Sequence, residues 1–299
     1  MSKIILPVGA DRPSPDIVSS FRNVAPRYDL VLCDIWGVLH DGLKAFPDAG
    51  EALTRYRDGG GRVVLVSNAP RPGAVVAHQL DEIGVPRTAY DDIVTSGDLT
   101  RAAVIERGSQ VLHHIGPDRD LSLYEGLPAR FGTLEEADYV VCTGLFDDEN
   151  ETVADYEPTL RSMRERNLWM ICANPDIVVE RGHQLILCAG ALAAAYEAMG
   201  GHSYTGGKPH RPIYEAATER GAGLLGRVPE RARMLAIGDA IRTDVAGGRG
   251  FGIDILLIAR GIHASDLGYS PGKIDRETAL PWLAEQDFVP TAVAPELVW

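Results

Sequence analysis

Residues 29–42 read DLVLCDIWGVLHDG. The apolar run over Asp29 to Ile35, interrupted only by Asp34 and followed at once by Gly37 and Gly42, predicts a buried strand that runs into a loop carrying a carboxylate. A second run, Arg62 to Ser67, also ends in polar residues, and between the two Asp48 to Arg57 has helical spacing closed by Gly59-Gly60-Gly61. Strand, helix, strand is the unit from which parallel sheets are built.

The alternation returns near the other end. Pro212 to Glu219 reads as a helix, Met234 to Ile237 as a strand, Asp244 to Arg249 as a helix and Ile253 to Ile258 as a strand. Both ends therefore contribute to one sheet. Between them, Gln110 to Ile115, Tyr139 to Thr143 and Trp169 to Ala173 read as further strands, with helices near Asp155 to Arg166 and Ala189 to Met199. This predicts an α/β protein with a Rossmann-like core of residues 1–106 and 205–299, and an inserted α/β domain of residues 107–204. Residues 1–28, with four prolines, read as an N-terminal arm. The tail from Ser265 to Trp299 offers one helix, Arg276 to Glu285, and little else.

The 299 residues are 45% hydrophobic and 24% charged, as expected of a packed soluble protein. With 42 acidic against 29 basic residues the net charge is −13, which argues against nucleic acid and anionic membranes as partners. No apolar stretch approaches the ~18 residues of a membrane span, and the start shows no export leader, so a cytoplasmic location is expected. A homo-oligomer is compatible with this composition. Cys33, Cys142, Cys172 and Cys188 form no CxxC and read as reduced core thiols. The eight histidines offer no zinc-type pairing, and the glycines fit no nucleotide-binding loop. Tyr139, Phe131 and Trp169 read as core aromatics of the inserted domain.

In an open parallel sheet the ligand crevice lies beyond the carboxyl ends of the strands. Four candidate ends carry chemistry: Asp34 after the first strand, Ser67-Asn68 after the second, Thr205-Gly206-Gly207-Lys208-Pro209, and Gly238-Asp239 with Thr243-Asp244. Singly each has a bland reading, as a helix cap, a turn or an exposed loop. In this order they resemble the motifs of the haloacid dehalogenase (HAD) superfamily, class IIA sugar-phosphatase-like branch. Asp34 to Gly42, Thr95-Ser96-Gly97, Asn174-Pro175-Asp176 and Gly238-Asp239 to Asp244 resemble that branch as well, and the match covers about Asp29 to His263.

The resemblance implies an α/β core with a C2-type cap and a phosphatase that works through an aspartyl-phosphate. Asp34 would be the nucleophile. Mg²⁺ would be held by Asp34, Asp239, Asp244 and the main-chain carbonyl of Trp36. Ser67, with Asn68 and neighbouring N–H groups, would bind a phosphoryl oxygen, and Lys208 would neutralise charge. At about 4 Å and an effective dielectric of about 20, each like-charge pair costs on the order of 4 kcal/mol. Three carboxylates and a phosphate therefore need both the cation and the lysine. Arg242 reads either as a substrate contact or as a solvated loop residue. The Asn174 to Asp176 segment and the Glu180 to Gln184 loop are expected to contribute to substrate choice.

One position departs from the pattern. Phosphatases of the superfamily carry a second aspartate two residues after the nucleophile, where this chain has Trp36. An indole only donates a hydrogen bond and has no useful pKa, so it neither protonates a leaving group nor activates water. His40 and Asp41 are near enough in sequence to be considered as substitutes; a turn at Asp41-Gly42 is the alternative. An aromatic residue also occupies this position in dehalogenases of the superfamily, but those dispense with the metal, whose ligand pattern this chain keeps. The reading is thus a Mg²⁺-dependent phosphatase of a small phosphorylated metabolite, biased to good leaving groups, with a non-catalytic phosphate-binding protein or a phosphotransferase as alternatives.

Overall fold

The structure, a computed structural model, describes residues 14–181 and 184–299. The first part of the expected N-terminal arm and the middle of the 180–184 loop lie outside the described residues. A seven-stranded sheet runs Asp16–Ile17, Ala292–Ala294, Asp254–Ile258, Met234–Gly238, Leu30–Cys33, Arg62–Ser67, Asp92–Thr95. Every neighbouring pair in it is parallel. Chain order reverses between Leu30–Cys33 and Met234–Gly238, which places the crevice of the doubly wound sheet there.

Leu30–Cys33 is apolar at every position because both of its faces are covered. Val31 and Cys33 enter one buried cluster with helix Pro47–Asp58. Leu30 and Leu32 enter another, with helix Arg211–Leu225. Gly221 sits where an added Cβ would lie 2.4 Å from Leu30, so its lack of a side chain lets that helix lie close to the sheet.

A second sheet, ordered His202–Thr205, Trp169–Cys172, Tyr139–Cys142, Val111–Ile115, Arg130–Phe131, is likewise parallel. It has its own apolar clusters and carries an antiparallel hairpin, Val178–Arg181 with Gln184–Leu187. All four cysteines are buried and unbridged. Among the described residues no helix is long and apolar enough to cross a membrane.

Three readings are sharpened or corrected. From residue 14 onward the N-terminal arm packs on the core: Asp16–Ile17 is an edge strand of the core sheet, and Phe21 is fully buried against Tyr56 and Trp299, at ring distances of 5.3 and 5.9 Å. The C-terminal tail supplies the strand Ala292–Ala294 beside it. Strands of two or three residues carry no readable periodicity, and their pairing joins chain ends that no local window spans. Third, Tyr139 is a core residue, but Phe131 and Trp169 are 52% and 45% exposed at the sheet margin. The strand leading to Lys208, His202–Thr205, belongs to the inserted sheet, where Thr205 pairs with Cys172.

Candidate active site

The chain leaves Leu30–Cys33 with the Asp34 N–H donating to the Ile237 carbonyl at 2.8 Å, which ties the residue to the neighbouring strand. The next residues turn sharply, Gly37 at φ +77°. Lys208 Nζ lies 2.5 Å from Asp34 Oδ1 and donates to Asp244 Oδ1 at 2.8 Å. Asp239 Oδ2 accepts the Ile262 N–H at 2.9 Å, and Asp244 Oδ2 accepts the Ala240 N–H at 3.2 Å. Asp244 stands in a single π-helical turn, Ile241–Val245, ahead of helix Ala246–Phe251, where plain helix was expected from Asp244 onward. Such turns occur often at functional sites because they re-aim one side chain.

Two glycines make room for these carboxylates. A Cβ at Gly37 or Gly261 would lie 2.1 or 2.0 Å from Asp239 Oδ2. Ser67, almost buried, accepts the Ala69 N–H on its Oγ at 3.2 Å. That contact leaves the hydroxyl hydrogen available to the cleft.

Asn68 takes a different part from the substrate contact expected of it. Its Oδ1 accepts the Lys208 N–H at 2.7 Å, and its Nδ2 donates to the Lys208 carbonyl at 3.1 Å and to the Asp176 carboxylate at 2.9 Å. The side chain is thus filled by protein partners and clamps the lysine loop to the core and to the inserted domain. Gly207 permits the approach, since a Cβ there would lie 2.6 Å from Asn68 Oδ1. Asn68→Ala would strand a buried N–H at a cost of about 1 to 3 kcal/mol. A lowered melting temperature together with a lower kcat is the expected result, and a purely substrate-binding Asn68 would instead raise KM alone.

Burial pushes the Asp34 carboxyl well above its usual pKa, against the pull of Lys208. Burial also works against the Lys208 ammonium, but Asp244 and Asp34 outweigh it and hold its pKa well above the ordinary value. Burial, then the charge of Asp244, raises Asp239 from 3.8 to about 7. The sign follows from linkage: the folded state holds this proton more tightly than the unfolded one. Metal-free protein therefore loses stability as pH rises between 3.8 and about 7. Thermal melts in EDTA at pH 5 and pH 8 should show the loss, and Mg²⁺ should reverse it at pH 8.

Asp34, Asp239 and Asp244 place carboxylate oxygens within 4.8 Å of one another. When the three carboxylates are ionised one ammonium leaves them net negative, and their donors are hard oxygens. The set fits a small divalent cation that takes a few carboxylates and keeps water.

The centre opens into a cleft of about 1010 Å³ between the two sheets, with Trp36, Phe46 and Arg260 on the core side and Thr143, Asp148 and Asp176 on the other. Trp36 packs edge-on to His40, ring centroids 5.1 Å apart. His40 is buried behind it, accepts the Gly42 N–H on Nδ1 at 2.9 Å, and is pushed down by burial to a pKa of about 4. Asp41 also faces the cleft, but its Oδ1 accepts the N–H groups of Leu43 and Lys44, each at 2.9 Å. Burial raises its pKa, these hydrogen bonds outweigh burial, and the net shift is downward. Neither residue holds a proton to donate at neutral pH.

The structure brings Asp34, Ser67, Lys208, Asp239 and Asp244 together and leaves Arg242 exposed outside the cleft lining. The loop turns the Arg242 side chain outward while its neighbour Thr243 faces in. Arginines that do line the cleft are Arg71, Arg119, Arg181 and Arg260, none of them found by motif. Arg71 stands four residues beyond Ser67, and Arg181 lies in the Glu180 to Gln184 loop expected to contribute to substrate choice.

Fold and site together define a two-domain α/β hydrolase whose carboxylate and lysine centre lies under an inserted cap. A haloacid dehalogenase-like hydrolase model matches residues 31–127, and a HAD-hydrolase-like model matches residues 205–297. A solved hydrolase of the haloacid dehalogenase-like family from Brucella suis is 45% identical over 95% of this chain and 100% of its own, with a TM-score of 0.84. The chain belongs to the haloacid dehalogenase-like hydrolases, in the class IIA sugar-phosphatase-like branch. More distant relatives are the D-glycerol 3-phosphate phosphatase of Mycobacterium tuberculosis, 24% identical over 93% of this chain and 77% of that protein. The ribonucleotide monophosphatase NagD of Escherichia coli is 26% identical over 79% and 89%.

Proposed function

We propose that the protein is a Mg²⁺-dependent phosphatase of a small phosphorylated metabolite. The observation that carries this reading is the Asp34 carboxylate 2.5 Å from Lys208 Nζ at the floor of the cleft, with Asp239 and Asp244 beside it. Its relatives are named for phosphate-ester hydrolysis.

Asp34 attacks phosphorus, the bond to the leaving oxygen breaks, and an aspartyl-phosphate forms; water then releases inorganic phosphate. Lys208 neutralises Asp34 and the phosphoryl group as they approach. The Ser67 hydroxyl donates to a phosphoryl oxygen. Mg²⁺, held by Asp34, Asp239, Asp244 and the Trp36 carbonyl, would supply the remaining positive charge.

Trp36 closes the wall where leaving-group protonation is needed, and His40 and Asp41 do not replace that acid. General-acid help is worth about 10² to 10⁴ in rate, so alkyl phosphates should lag aryl and acyl phosphates by a factor in that range. The test is phosphate release from p-nitrophenyl phosphate, acetyl phosphate and sugar phosphates, in Mg²⁺ and in EDTA. Equal rates on aryl and alkyl esters would remove the proposed part of Trp36. No turnover on any ester, with phosphate ligands still raising Tm, would make this a binding protein, and transfer of phosphate to added sugars would make it a phosphotransferase.

A further inference from the structure

Outside the carboxylate and lysine centre, three guanidinium groups meet in the same cleft. Arg71 comes from the loop after Ser67, Arg119 from the turn after strand Val111–Ile115, and Arg181 from the cap hairpin. Two carboxylates stand among them. Arg71 Nε is 3.8 Å from Asp120 Oδ1, across the line between core and cap. Asp148 is shared, bonded by Arg119 and approached by Arg181 Nη2 at 3.3 Å. Arg181 also reaches the exposed Glu149 at 3.9 Å.

The cluster is under-supplied with acceptors. Each guanidinium carries about five N–H donors in a planar fork, and the contacts just named use at most two of each. Arg71 Nε is buried and has no hydrogen-bond partner among the described residues. Burial lowers the Arg71 pKa; Asp120 opposes this, and the charges of Arg119 and Arg181 lower it further. Three cations therefore face two almost buried carboxylates in the same cleft as the carboxylate and lysine centre. A guanidinium fork with spare donors matches the planar oxygens of a carboxylate or phosphate.

We propose that Arg71, Arg119 and Arg181 bind a second anionic group of the substrate, a carboxylate or a second phosphate, so that the preferred metabolite carries one such group besides the phosphate it loses. This rests on the phosphatase reading and narrows it. The alternative part for the same residues is a latch, with Arg71 and Asp120 merely holding cap to core.

Two matched pairs test it. Glycerol 3-phosphate and 3-phosphoglycerate differ by a hydroxymethyl against a carboxylate; fructose 6-phosphate and fructose 1,6-bisphosphate differ by a hydroxyl against a phosphate. In at least one pair the doubly anionic member should have kcat/KM higher by about tenfold or more, chiefly through KM, as one charge-assisted contact allows. Arg181→Gln and Arg119→Gln should bring that ratio towards unity, and Arg181→Lys should keep part of it. Ratios near unity in both pairs overturn the proposal. So does a variant that lowers both members of a pair alike, since that is what a latch would do. Should the wild-type protein turn over no ester, the phosphatase reading fails separately. Calorimetric titration of Asp34→Asn protein then decides the subsite, with tighter binding of a doubly anionic member required and its loss on adding Arg181→Gln.

Discussion

Asp34→Asn protein should release phosphate from p-nitrophenyl phosphate slower than wild type by on the order of 10⁵ to 10⁶, the scale on which a covalent nucleophile is missed. Asparagine has the shape of aspartate and keeps a carbonyl for Lys208 to bond. What it lacks is the anionic oxygen that attacks phosphorus. The fold should survive and even gain stability in EDTA, because a buried carboxylate whose pKa is pushed up by burial is no longer held among like charges. Steady-state phosphate release and a melt in EDTA check both halves. Turnover within tenfold of wild type would move the nucleophile elsewhere and take the proposed mechanism with it.

Gly261→Ala should be damaging too, by about 10² or more, without removing any charged group. The added Cβ would lie 2.0 Å from Asp239 Oδ2 and 2.3 Å from its Cβ, and no atom of a real side chain tolerates that separation. The adjacent Ile262 N–H anchors the same oxygen, so the carboxylate has to move and give up that bond. A displacement near 1 Å at a reacting centre costs about 10²-fold in rate. Disturbed support of a metal ligand costs about 10 to 100-fold in metal affinity. The variant should thus need far more Mg²⁺ for half-maximal turnover and have a lower maximum. Gly250→Ala is the control: its Cβ would meet open space in helix Ala246–Phe251, where alanine should stabilise by about 0.4 to 1 kcal/mol. Equal Mg²⁺ titrations for the two variants would mean that Asp239 is no ligand.

The amino-acid sequence by itself determined the α/β class, the main strands and the line of polar residues Asp34, Ser67, Lys208, Asp239 and Asp244. Each of these is a local event: an apolar run wants burial on both faces, a parallel strand must stop, and the residue after the stop faces the crevice. Trp36 was legible for the same reason, as one residue in a short, ordered stretch. Lys208 was legible as well, just beyond the strand His202–Thr205 that closes the inserted sheet.

Only the tertiary structure decided the rest. Asn68 reads as a substrate contact beside Ser67 until Lys208, 140 positions away, fills its amide. The edge strand Asp16–Ile17 exists through pairing with Ala292–Ala294 at the other end of the chain. Arg71, Arg119 and Arg181 are separated by long stretches and share no spacing, and what unites them is the cleft that both domains wall. Strand ends are local and repeat a pattern, whereas ion pairs across a cleft join residues whose neighbours in sequence carry no sign of the meeting. The polar line at the strand ends was therefore legible in the chain, and the meeting of the arginines in the cleft was not.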